Sequence, residues 1–172
     1  MRIALLVAAG SLAGLAACSS PNPVLYTIAP VPGTPQSGGP KVVVLQQIST
    51  ARFLERSQIV ASSENYRLDV MSNDWWGEPL AAMLSRVLVE ELGQRLPQST
   101  VIGESGAVTA SPDATVELNV QRLDEDASGT LILQAQASVS FKGRGPPSLR
   151  SFRFAVPPPA PLSPMTVLCG NR

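Results

Sequence analysis

Histidine is absent from this 172-residue chain, and few other reactive side chains stand in for it. Two residues are cysteine, 5% are aromatic and 15% are charged. A serine triad or a cysteine dyad needs an imidazole base, so neither can be built in its usual form. Zinc would lack its commonest nitrogen ligand and have at most two thiols, far from the usual ligand sets. The only lysines, Lys41 and Lys142, stand beside Pro40 and Gly143 at element ends. A solvated ammonium there is a poor base for a serine nucleophile. No glycine loop suited to phosphate occurs, and 13 basic residues balance 13 acidic ones without the basic patch that nucleic acid requires. Eleven of those basic residues are arginine, a bias of composition. Asp124-Glu125-Asp126 suggests calcium or a glycosidase pair, but consecutive side chains splay apart and the segment falls where a hairpin loop is expected. No cofactor, metal site or enzymatic activity is implied.

The apolar run that does exist is at the start. Arg2 precedes an apolar core from Ile3 to Leu15, which is shorter than the roughly 20 residues needed to span a bilayer and fits a secretory signal. It closes on Leu15-Ala16-Ala17-Cys18, which resembles the bacterial lipoprotein processing motif. The Cys18 thiol would carry a diacylglyceryl group, residues 1–17 would be removed, and the new amine would be acylated. Several acyl chains on one residue give stable attachment, because each buried methylene contributes about 0.8 kcal/mol. An Asp after the cysteine tends to hold such proteins at the inner membrane; Ser19 and Ser20 stand here instead. The expected location is the outer membrane, facing the periplasm.

The remaining 155 residues suit one domain. Residues 18–40 are expected to form the lipidated N-terminus and a linker, with six prolines and three glycines between 19 and 40. Within it Val24 to Ile28 is β-branched and aromatic, which predicts a short strand docked on the sheet. Val31 to Pro40 would then be the floppy part.

Residues 41–156 are expected to be the folded domain. Lys41 to Ile48 is almost continuously apolar and predicts a strand buried on both faces. Ser57 to Ala61 and Tyr66 to Val70 predict a hairpin around Ser62 to Asn65. Trp75 and Trp76 lead into the long amphipathic pattern, Leu80, Met83, Leu84, Val87, Leu88, Leu92 and Leu96, a helix from about Pro79 to Leu96. Proline is tolerated in its first turn and Pro97 ends it. Glu91 and Arg95 are spaced to pair across one turn. Adjacent tryptophan side chains diverge, so one should be buried and the other partly exposed. Val116, Leu118 and Val120, then Leu131 to Phe141, then Phe152, Phe154 and Val156 alternate with polar residues and predict three antiparallel strands, one face on the helix and one wet. The fold class is α/β (α+β): a mainly antiparallel mixed sheet against one long helix, in a single domain. Residues 157–172 hold five prolines and predict a disordered tail, in which Cys169 has no partner if Cys18 carries lipid.

Several segments together resemble one family. The Cys18 motif, then Tyr26-Thr27-Ile28-Ala29-Pro30, then Phe53-Leu54-Glu55-Arg56-Ser57-Gln58-Ile59-Val60, then Trp76-Gly77-Glu78-Pro79-Leu80 opening a helix, is similar to the ABC-type transport auxiliary lipoproteins, the PqiC/YmbA-like proteins. Glu55, Ser57, Trp75 and Gly77 depart from the family pattern by conservative exchanges. The proline tail departs more, standing where the family closes with a second amphipathic helix. The resemblance implies a non-enzymatic subunit of a system that moves lipid between inner and outer membranes and supports envelope integrity. It implies as partners a membrane-spanning protein built of MCE domains and the membrane itself through the lipid anchor, with phospholipid and further copies of the chain as candidates and no nucleic acid. Arg56, Trp75, Trp76, Glu78 and Pro79 are the candidate partner-binding residues, since they carry the match without being simple periodic core. The alternative is a structural or assembly lipoprotein, chaperone- or pilotin-like, of another outer-membrane complex; a hydrolase would need turnover that a point change at a named carboxylate abolishes.

Overall fold

The computed structural model describes residues 22–104, 108 and 110–158. Cys18, Cys169 and most of the proline tail, three subjects of the sequence expectations, lie outside the described residues. Among the described residues nine strands form one mixed sheet with a single α-helix: β1 (Val24–Tyr26), β2 (Val42–Leu45), β3 (Ser49–Thr50), β4 (Gln58–Ser62), β5 (Asp69–Trp76), α1 (Leu80–Arg95), β6 (Thr100–Gly103), β7 (Ala114–Glu125), β8 (Leu131–Phe141) and β9 (Ser148–Val156). This is the α+β class expected, with the longest ladders antiparallel.

The twelve residues of β7 are the spine of the sheet. Along one edge it pairs antiparallel with β8 from Ala114↔Phe141 to Glu125↔Leu131, and β8 pairs likewise with β9. Along the other edge three short strands follow one another, all parallel to it: β2 at Ala114 to Val116, β3 at Asn119 and Val120, and β4 at Glu125. The backbone N–H groups of Gln46 and Ala51 donate to the carbonyls of Val116 and Val120 between these strands, so the broken edge keeps its hydrogen bonds. The antiparallel β4–β5 hairpin then carries β1 as outermost strand, and β6 adds to the free side of β2.

Leu80, Met83 and Val87, one helical face, are buried with Leu45, Ile48, Leu54, Val60, Val120 and Ala135. Pro79 sits at the N-cap position, where its missing N–H leaves no bond unmade. Burial along β2 alternates: Val43 and Leu45 are inside, Val42 and Val44 only partly so. The expectation of a strand buried on both faces is thus corrected, because the single helix covers one face. Trp75 and Trp76 end β5 just before α1, and the expectation of one buried and one partly exposed is corrected: both are half-buried, with Trp76 packed against the core.

The segment expected to be loose is held. Glu91 Oε1 accepts the Val31 N–H at 2.8 Å, the Arg95 carbonyl accepts the Gln36 N–H at 2.7 Å, and Gln98 Oε1 accepts the Gly38 N–H at 3.3 Å. Glu91 and Arg95, spaced to pair with each other, hold this segment against α1 instead. Gly33 lies so near the Arg95 guanidinium that any side chain there would force the arginine aside.

Candidate functional site

The three signature segments, the first and last about fifty residues apart in the chain, meet at one corner of the sheet. Parallel pairing sets Val24, Leu25 and Tyr26 beside Asp74, Trp75 and Trp76, and Gln58 beside Trp75 from the other side. Strand β5 is therefore flanked by the Tyr26 segment and the Arg56–Gln58 segment at its last turn of chain. The Trp76 N–H donates to the Ser57 carbonyl at 2.7 Å and the Gly77 N–H to the Tyr26 carbonyl at 2.8 Å. A Cβ on Gly77 would come 3.3 Å from that same carbonyl, a tight approach that glycine avoids.

Charge completes the corner. Glu78 Oε1 accepts from Arg86 Nη2 at 2.7 Å and from Nε at 3.1 Å, while Arg86 Nη2 also reaches Thr27 Oγ1 at 3.2 Å. The Tyr26 hydroxyl donates to Asp74 Oδ1 at 2.8 Å. That hydrogen bond, and then the Asp74 charge, push the phenol above its ordinary value. The Ile28 N–H meets Met83 Sδ at 3.1 Å, anchoring the segment after β1 to the buried face of α1.

Of the five candidate residues, three have internal work. Trp76 packs on the core, Glu78 clamps Arg86, and Pro79 caps α1 and gives its carbonyl to the Met83 N–H. Trp75 donates its indole N–H to the Ser72 carbonyl at 3.3 Å and stands half-buried between Leu25 and Gln58, apart from the side chains packed on the core. Arg56 is exposed on the loop before β4 and makes no ion pair among the described residues. Arg56 and Trp75 are thus the pair free to meet something else.

A second cluster escaped the sequence reading. Asp124 belongs to β7 and is 1% exposed, a correction to the loop assigned it. Its Oδ1 accepts Arg122 Nε at 2.6 Å, and Arg122 Nη2 reaches Glu64 Oε1 at 2.6 Å. Burial works against the Arg122 charge, but hydrogen bonds to Asp124 and Glu64 outweigh it and raise the guanidinium above its ordinary value. The cluster pins the turn where Asn65 and Tyr66 have φ of 54° and 59°, a conformation costly for residues with a Cβ. An irregularity between Val120 and Arg122 shifts the register, so that Leu123 joins the core and Asp124 does not. Strict alternation hid this; Arg-x-Asp at the end of an apolar run was the available signal. Only Asp126 turns the hairpin, its Oδ1 accepting from Ser128 N, Ser128 Oγ and Thr130 N. The Ser128 bonds chiefly hold its carboxyl below the ordinary value. Asp124 and Asp126 therefore serve different structural jobs, and no group of three or more metal-capable side chains occurs among the described residues.

An apolar groove of about 480 Å³ lies between α1 and β7–β9, lined by Leu84, Leu88 and Leu92 with Leu133, Phe152 and Phe154. Glu91 is the charged residue on its wall, and no second α-helix covers it among the described residues.

The fold is one α+β sheet-and-helix unit whose signature segments gather at one corner. Residues 25–164 match the ABC-type transport auxiliary lipoprotein components, and the chain belongs to that family. Two solved structures share the fold. A protein described as uncharacterized is 16% identical with a TM-score of 0.65 over 80% of this chain and 81% of its own. Protein XCC0632 from Xanthomonas campestris, of the DUF330 family, is 18% identical with a TM-score of 0.62 over 78% of each chain. Comparison with curated proteins returns no match.

Proposed function

We propose that this chain is a non-enzymatic, lipid-anchored subunit on the periplasmic face of the outer membrane. Lipidated at Cys18, it docks a membrane-spanning MCE-domain partner in a system that moves phospholipid between the membranes. Arg56 and Trp75 carry the docking contact, while Trp76, Glu78 and Pro79 hold the corner in shape. The observation that supports this most is the division of labour there. Three signature segments converge there, and of the five candidate residues an exposed arginine and a half-buried tryptophan are left without a core, capping or ion-pair role, both residue types that dominate interface energetics.

The test is co-purification of the MCE partner with Arg56→Ala and Trp75→Ala. A hot-spot truncation of about 2 kcal/mol or more predicts at least a roughly thirtyfold loss of recovery. Full recovery with the circular dichroism unchanged would overturn the assignment of this face.

A further inference from the structure

The chain between the anchor and the sheet has a property that bears on how the domain sits. From Ser19 to Pro40 it contains no Asp, Glu, Lys or Arg. It nevertheless exposes four large apolar residues: Val24, Leu25 (63% exposed), Tyr26 and Val31. Residues 22–40 do not drift away from the fold, because β1 is hydrogen-bonded to β5, and Val31, Gln36 and Gly38 are tied to α1 and the residues after it.

Reach then decides the placement. Val24 is six residues beyond Cys18, and six residues span at most about 20 Å when fully extended. A domain of this size has a radius of gyration near 14 Å, so it cannot float a diameter away from its anchor. The edge of the sheet closest to that anchor is the apolar, uncharged one.

We infer that β1 rests in the headgroup layer of the anchoring bilayer, with Leu25 and Val24 toward the lipid and Tyr26 at the water boundary. This rests on the Cys18 lipidation proposed above. The outward N–H and C=O groups of an outermost strand must still be hydrated, which keeps β1 at the interface and out of the hydrocarbon. Tyrosine and tryptophan favour that layer because one end of each ring is apolar and the other wet, and Trp75 stands directly beside Leu25. β1 itself carries no charge; the carboxylate beside it, Asp74, accepts the Tyr26 hydroxyl at 2.8 Å and stays with it at the water boundary, and no lysine or arginine of residues 19–40 draws the contact to anionic lipid, so a zwitterionic surface suffices. The sheet thereby stands on its β1 margin, with β9 at the far margin five strand spacings away, about 24 Å. Docking at Arg56 and Trp75 would then take place against the membrane surface.

The experiment uses the full lipidated chain in vesicles of phosphatidylethanolamine and brominated phosphatidylcholine, with no partner present. In a Trp75→Phe background, Trp76 stays as the inner reference and a reporter is added as Leu25→Trp or as Leu149→Trp. Leu149, on β9, is 68% exposed, so the two positions differ in place and hardly in exposure. Quenching of the Leu25→Trp reporter should exceed that of the Leu149→Trp reporter roughly threefold, as expected for a side chain in the interfacial layer against one in water. Equal quenching, or stronger quenching at β9, overturns the inference. Blue-shifted but unquenched emission from Leu25→Trp also overturns it, since protein and not lipid would be covering β1. A mass spectrum of the mature N-terminus separates the premises: an unmodified Cys18 refutes the anchor, whereas an acylated Cys18 with an unquenched reporter refutes the seat alone.

Discussion

The two margins of this sheet are built on opposite principles. The β7–β8–β9 side is two antiparallel ladders, eleven and nine register pairs long, whose sequence alternates and whose neighbours in space are neighbours in the chain. The β1–β5 side is assembled from two three-pair ladders and a single pair to β7 plus individual clamps: Met83 to Ile28, Arg86 to Thr27, Gly77 to Tyr26, Ser57 to Trp76. A ladder distributes its stability over many equivalent bonds, so no single side chain is indispensable to it. A clamped corner depends on a few named groups, and those groups coincide with the segments that mark the family. The parts least governed by periodic rules are where a family places what distinguishes it.

Met83→Ala should open that difference widest. The side chain is fully buried, so its loss costs about 3 kcal/mol of transfer and cavity energy in urea unfolding. Hydrogen exchange should also speed up through residues 27–31 while β8 stays protected, because the sulfur that meets the Ile28 N–H is gone. An unchanged exchange pattern would mean the corner is held without it.

Asp124→Ala tests the one place on the β7 side that resembles the corner. Removing a buried carboxylate from Arg122 should cost about 2–3 kcal/mol, below the usual figure for a broken buried pair because the Arg122 side chain is 22% exposed and keeps Glu64. The loss should also loosen the Asn65–Tyr66 turn, read as faster proteolysis there. A cost below half a kcal/mol, about the level of a surface pair, would show that solvent replaces the carboxylate.

Glu78→Gln should do little to global stability, about 0.5 kcal/mol, since both partners of its ion pair are a third or more exposed. Its effect should be local, raising exchange at Thr27 and Ile28. The smallest effect is a pH dependence. Hydrogen bonding to Asp74 raises the Tyr26 phenol above its ordinary value of 10.0, so the neutral form is favoured by folding. This contribution is fully present below the unfolded value and is lost as pH rises through the folded one. Stability measured between about pH 9 and 11 should fall less steeply in Tyr26→Phe than in the parent. Identical slopes would mean that the bond to Asp74 does not persist in solution.

How much of this was legible varies by element in a way that physics explains. Helix α1 was readable to within a residue, because a 3.6-residue apolar period bounded by two prolines admits few other structures. Strand β8 was readable because alternation over eleven residues has one meaning beside an apolar face, whereas β9 was read only from Phe152 to Val156 although it begins at Ser148, and α1 leaves its Phe154 and Val156 exposed. The edge of β7 was not: three separate parallel pairings with one strand leave no local trace, since their partners are up to about seventy residues away. The docking candidates were found as a set from their order along the chain. That Trp76, Glu78 and Pro79 work inward while Arg56 and Trp75 do not could be learned only from their neighbours.

By itself the sequence determined what this protein has to work with: a motif for lipid anchoring, one amphipathic helix, alternating strands and no imidazole. Those are properties of single segments, written in composition and period. Only the tertiary structure decided that a proline-rich stretch is strapped to α1, that Asp124 is buried, and that three signature segments form one corner. Each depends on groups far apart in sequence coming within hydrogen-bond distance, and such meetings have no energy until the chain has folded.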